Sequence, residues 1–85
     1  MEGSRMICFS VEGRGFITLR KMHTGDTVVQ FTGYNGIKQI VESICTAYRA
    51  CWNAIHRHWI IPIEYLDQII AEFDRIGKRT VGSAH

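Results

Sequence analysis

MICFSVEGRGFITLRKMHTGDTVVQFT, residues 6–32, is the stretch whose reading decides the fold. Its first six residues alternate, with Ile7, Phe9 and Val11 on one side and Met6, Cys8 and Ser10 on the other. A two-residue period is the signature of a β-strand with distinct faces. Glu12-Gly13-Arg14-Gly15 follows, and its two glycines permit the positive φ of a tight connection. Phe16 to Met22 reads as a second strand, with Ile17 and Leu19 opposite Phe16, Thr18 and Arg20. His23-Thr24-Gly25-Asp26 supplies a second turn, and Thr27 to Thr32 a third strand rich in β-branched residues. Short connections imply antiparallel neighbours, so the segment predicts a three-stranded meander.

Beyond the meander the period changes. Ile37, Ile40, Val41, Ile44, Tyr48, Cys51 and Ile55 follow the three-and-four spacing of an amphipathic helix. Asn35 and Gly36 suit its start, with Asn35 as the cap. Glu42, Thr46, Arg49, Asn53 and Arg57 fall on the solvated side. The pattern therefore predicts one helix from Ile37 to about Arg57. Pro62 then makes Trp59-Ile60-Ile61 a junction and starts a second helix, because proline disfavours helix before it and suits a first helical turn. Ile63, Leu66, Ile69, Ile70, Phe73 and Ile76 form the apolar face of that helix, and Gly77 is its stop.

The predicted fold class is α+β, a three-stranded antiparallel β-meander followed by two α-helices packed on one face of the sheet, in the order β-β-β-α-α. Ile7, Phe9, Val11, Ile17, Leu19, Val29 and Phe31 point inward in that arrangement. The other face, with Cys8, Ser10, Phe16, Thr18, Arg20, Val28, Gln30 and Thr32, is mixed in character. Residues 1–5 read as a flexible tail or a remnant of expression, residues 6–77 as one domain, and residues 78–85 as a flexible tail. Eighty-five residues leave no room for a second domain.

Composition narrows the function classes. The chain is 46% hydrophobic and 11% aromatic, which opposes intrinsic disorder. Interiors of such small domains are limited, so surplus apolar residues predict coverage by another subunit or partner. Ten basic residues stand against eight acidic ones, a weak excess for a dedicated nucleic-acid binder. Three cysteines and no secretory leader fit reduced thiols in the cytoplasm. No apolar run approaches the roughly 20 residues of a membrane span.

Cys45, Cys51, His56 and His58 lie within fourteen residues, yet helical geometry points His56 and His58 to nearly opposite sides. Neither C-x-x-C nor H-x-x-x-H occurs, so no metal or other cofactor is expected. Catalysis fares no better. The cysteines fall on a predicted core stripe, and His23 and Asp26 sit in a turn. Gly13 and Gly15 lack the third glycine and the following helix of a phosphate loop.

Two binding readings remain. In the first, the chain is a non-enzymatic module for a protein partner, an inhibitor or adaptor, acting as a small homo-oligomer, a dimer. Its candidate anchors are Tyr34, Trp52, Trp59 and Tyr65, with Glu64 and Asp67 on an acidic second helix. Small α+β domains of this make-up are common among accessory proteins of phages and mobile elements, an analogy of architecture that assigns no residue a role. In the second reading, a nucleic-acid-binding regulator uses the outer sheet face. Arg14, Phe16 and Arg20 would lie against bases or backbone, with Lys78 and Arg79 adding phosphate contacts.

Overall fold

A computed structural model of the chain describes residues 6–34 and 36–81. The expectations for the residue 1–5 tail, for residues 82–85 and for Asn35 as a cap lie outside the described residues.

The meander forms as its alternation requires. Strands β1 (Met6–Val11), β2 (Gly15–Lys21) and β3 (Thr27–Gly33) pair antiparallel, with Phe9 opposite Ile17 and Ile17 opposite Phe31. Gly15 and Gly33 face each other across β2 and β3 at φ +141° and +142°, and an added Cβ on either would lie 2.0 Å from a backbone oxygen. Only glycine fits there.

Helix α1 (Ile37–Ala47) begins after Gly36 and buries Ile37, Val41 and Cys45. The first correction falls at its end. The chain does not continue as helix to Arg57. Arg49 takes the left-handed conformation at φ 65°, the Ala50 N–H donates to the Cys45 carbonyl at 2.9 Å, and the Arg49 N–H to the Thr46 carbonyl at 3.3 Å. These two bonds are a Schellman closure, normally built on glycine.

A hairpin follows where helix was expected: β4 (Cys51–Asn53) and β5 (His58–Ile61). Asn53 closes its turn, because its Oδ1 accepts the N–H groups of Ile55 and His56, both at 3.0 Å. The Asn53 carbonyl accepts the Arg57 N–H at 2.7 Å, with Arg57 at φ 58°. Trp59-Ile60-Ile61 is therefore strand, not junction, and β5 pairs antiparallel with β3. Cys51 and Ile55, expected on the helix's core stripe, are both exposed, Ile55 at 86%.

Pro62 precedes a single 3-10 turn at Ile63–Tyr65, and α2 runs Leu66–Ile76. The second helix thus starts later than Pro62 suggested, and Ile63 stands outside its buried face at 71% exposure. Ile69 and Phe73 carry the packing, with the Phe73 ring 5.5 Å from that of Phe9. Gly77 does end α2, but at φ −145° and ψ 179°, an extended conformation. Its role is close approach, since a Cβ there would meet the Ser10 carbonyl at 2.9 Å.

The last correction concerns Lys78–Val81. These residues, expected to begin a tail, form β6 and pair antiparallel with β1. The Thr80 hydroxyl donates to the Cys8 carbonyl at 3.0 Å, and Arg79 Nε donates to Asp74 Oδ1 at 3.2 Å.

The result is α+β, a six-stranded antiparallel sheet ordered β4-β5-β3-β2-β1-β6 with two helices. Both helices pack on one face against Phe9, Val11, Ile17, Leu19, Val29, Trp59 and Ile61. Tyr48 joins the helices, its hydroxyl donating to Glu72 Oε2 at 2.9 Å. That contact and burial push the Tyr48 hydroxyl above its ordinary range. No helix among the described residues is long and apolar enough to cross a membrane.

Candidate docking surfaces

Short strands at a sheet edge present unpaired backbone groups, and native sheets guard such edges with charge. The two edges here differ. On β6, Lys78 and Arg79 are exposed cations. On β4, the residues are Cys51, Trp52 and Asn53, none of them charged.

The β4 margin is also apolar. Trp52 packs on Trp59 with ring centroids 5.4 Å apart at 59°, but the pair is shared unequally. Trp59 belongs to the core at 9% exposure, whereas Trp52 keeps 47% of its surface open. Ile55 stands at the hairpin tip beyond one end of β4. At the other end, Cys51, Ile60, Pro62 and Ile63 line a shallow cleft of about 480 Å³, walled on its far side by Thr24 and Asp26. The Thr24 hydroxyl donates to Asp26 Oδ2 at 3.1 Å and fixes that wall. Of the large apolar side chains exposed among the described residues, Trp52, Ile55 and Ile63 border this one margin. Trp52 was legible as an anchor type. Ile55 and Ile63 were missed, because the spacing placed both on helix core faces.

The remaining protein-docking candidates are distributed. Trp59 is enclosed and serves the core. Tyr65 is half-buried, with its ring 6.0 Å from that of Tyr48. Glu64, next in sequence to Ile63, is exposed on the 3-10 turn, and Asp67 is exposed on the first turn of α2. Tyr34 is 70% exposed but sits in the β3–α1 connection, apart from them.

The sheet face turned away from the helices is a second surface. Register places Phe16, Thr18 and Arg20 there from β2, Val28 and Gln30 from β3, His58 and Ile60 from β5, and Lys78 and Thr80 from β6. None of these residues is acidic. The exposed carboxylates Glu42, Glu64, Asp67 and Asp74 belong to the helical layer, where Lys38 and Arg75 accompany them, and Glu12 and Asp26 lie in the turns of the meander. Phe16 is 51% exposed on this face, while Val28 at 1% and His58 at 6% are buried. Among the described residues, Arg20 Nε is enclosed without a hydrogen-bond partner. The His56 and His58 rings stack at 5.5 Å and 19°. Burial, then His56 and Arg20, hold the His58 imidazole below its ordinary range, so it favours the neutral form.

The nucleic-acid candidates do not all share this face. Phe16, Arg20 and Lys78 do. Arg79 pairs with Phe9 and so faces the helical side, where it bonds Asp74 and lies 5.8 Å from the Phe9 ring. That ion pair holds the Asp74 carboxyl below the usual carboxylate range. Arg14 is in the β1–β2 turn, its Nη1 3.1 Å from where a Cβ on Gly36 would sit.

The cysteine–histidine cluster disperses. Cys45 is in the core, where burial pushes its thiol up to about 12 and makes it a poor nucleophile. Cys51 is at the sheet edge. Among the described residues, no three His, Cys, Asp or Glu side chains converge as metal ligands would. No family model, curated protein or solved structure matches the chain.

Proposed function

We propose that the chain is a non-enzymatic interaction module that docks a protein partner along the β4 margin. One observation carries this reading: an edge strand without charge, bordered by Trp52, Ile55 and Ile63 at 47%, 86% and 71% exposure. Large apolar and aromatic groups gathered around open backbone suit strand addition, in which main-chain bonds supply affinity and side-chain pockets supply specificity. The exposed Glu64 and Asp67 nearby would orient a partner with basic flanks. The test compares proteins captured by the wild-type chain and by a Trp52→Ser, Ile63→Ser variant whose circular dichroism matches wild type. A protein retained by wild type and lost by the variant supports the margin. Equal retention by both rejects it.

A second reading is favoured by the outer face, which carries no carboxylate among the described residues. Phe16 offers a stacking platform, and Arg20 and Lys78 offer phosphate contacts, the combination used for single strands. Fluorescence anisotropy with a single-stranded oligonucleotide tests it. Binding that weakens with salt and with Arg20→Ala supports this reading, and no binding at low salt ends it.

A further inference from the structure

The inference that follows rests on the β4 margin as a docking surface and names what occupies it. The two ends of β4 differ in shape. One end carries a projecting apolar side chain, Ile55, and the other an apolar cleft lined by Cys51, Ile60, Pro62 and Ile63. Strand addition in the antiparallel sense reverses the incoming strand, so it lays the far end of one β4 against the near end of the next. A surface with a knob at one end and a hole at the other is then complementary to itself under a two-fold axis.

We propose that β4 pairs antiparallel with β4 of a second copy of this chain, about an axis at Trp52. Ile55 of each copy seats in the cleft beside Ile63 of the other. The register sets Trp52 opposite Trp52 and Cys51 opposite Asn53. No like charges meet across the paired residues, because none of the three is charged, and Arg49 and Arg57 lie outside them. Self-pairing of β6 would instead gather Lys78 and Arg79 of two copies at one seam.

Extent decides the strength. Trp52, Ile55 and Ile63 expose on the order of 300 Å² of apolar surface together, below the roughly 800 Å² per partner of a standard interface. Three-residue strands add few backbone bonds. The dimer is accordingly weak, with a dissociation constant on the order of 10–100 µM.

Sedimentation of the full chain across that concentration range is the experiment. A monomer–dimer equilibrium is expected, weakened at least tenfold by Trp52→Lys and separately by Ile55→Asp, a substitution in an exposed turn that leaves the core untouched. Phe16→Lys, on the outer face, leaves the equilibrium unchanged. Trp52→Cys in a Cys8→Ser, Cys51→Ser background fixes the register. Directly opposed residues sit about 4.5–5.5 Å apart between Cα atoms, within disulfide range, so mild oxidation yields a covalent dimer. Tyr34→Cys in the same background does not. A monomer at every concentration overturns the proposal, as does a dimer that survives Trp52→Lys and Ile55→Asp. If the chain is monomeric yet captures a protein through Trp52 and Ile63, the second copy is rejected while docking stands. If capture also ignores those residues, both fall.

Discussion

Arg49→Gly should stabilise this domain, and the sign of that effect decides whether the chain leaves α1 where the hairpin requires. Arg49 is exposed and sits at φ 65° in the Schellman closure. The left-handed region costs an L-residue roughly 1–2 kcal/mol, and glycine avoids that cost. Glycine also has more freedom to lose on folding, an opposing effect of about 0.5–1 kcal/mol. The balance is a gain of about 0.5–1 kcal/mol, or roughly 3–6 °C in Tm for a domain of this size. Had residues 37–57 formed one helix, as their spacing suggests, the same substitution at mid-helix would cost about 1 kcal/mol. Arg49→Ala sharpens the contrast. Alanine is the best helix former but gains nothing in the left-handed region, so glycine should exceed alanine in stability here and fall below it in a helix. Urea unfolding followed by circular dichroism measures both variants, with equal m-values as the check that only stability has changed. Alanine more stable than glycine would refute the turn at Arg49 and the β4–β5 hairpin built on it.

Three further outcomes follow from the geometry. Gly33→Ala places a Cβ 2.0 Å from the Arg14 carbonyl and should cost on the order of 4 kcal/mol. Gly25→Ala, at φ +94° with open space around it, should cost far less in the same thermal melt. His58 is held neutral by burial, so the unfolded chain binds its proton more readily than the folded one. Its contribution to stability is complete above the unfolded value near 6.5 and is lost as pH falls below it toward the lower folded value. Melts between pH 7.5 and pH 5 should show that loss in wild type, diminished in His58→Gln; an identical slope in both would contradict it. In dilute native protein, a thiol reagent should modify exposed Cys51 quickly and buried Cys45 only on unfolding. Protection of Cys51 equal to that of Cys45 would restore it to a core stripe.

The parts of the fold legible in sequence were those with an uninterrupted period. Alternation through Ile7, Phe9 and Val11, and through Ile17 and Leu19, identified strands, and Phe9, Ile17 and Leu19 are core residues at 2% exposure or less. The three-and-four spacing at Ile37, Val41 and Cys45 likewise identified a real helix face. Cys51 and Ile55 then extended that spacing by coincidence. What ends the helix is conformational: Arg49 adopts a backbone shape that glycine advertises and arginine does not. The turn at Asn53 was hidden for the same reason, since Arg57 takes its left-handed position without a glycine to mark it. Strand β6 escaped because Lys78–Val81 carries no period of its own. Its stability comes from pairing with β1, far away in sequence, as the Thr80–Cys8 bond across 72 positions illustrates. These omissions bear directly on the candidate site. Trp52 could be chosen by residue type, but its exposure, its unguarded strand and its neighbours Ile55 and Ile63 exist only because the hairpin forms.

Emission from Trp52 offers the most direct view of the β4 margin, because Trp59 is buried and Trp59→Phe leaves a single reporter at the edge. In dilute solution this indole should be accessible to acrylamide. At concentrations at which the proposed dimer forms, or with a captured protein bound, its emission should shift to shorter wavelength and its quenching fall as the indole is covered. Emission and quenching that stay constant under both conditions would contradict the claim that this edge is where the domain docks.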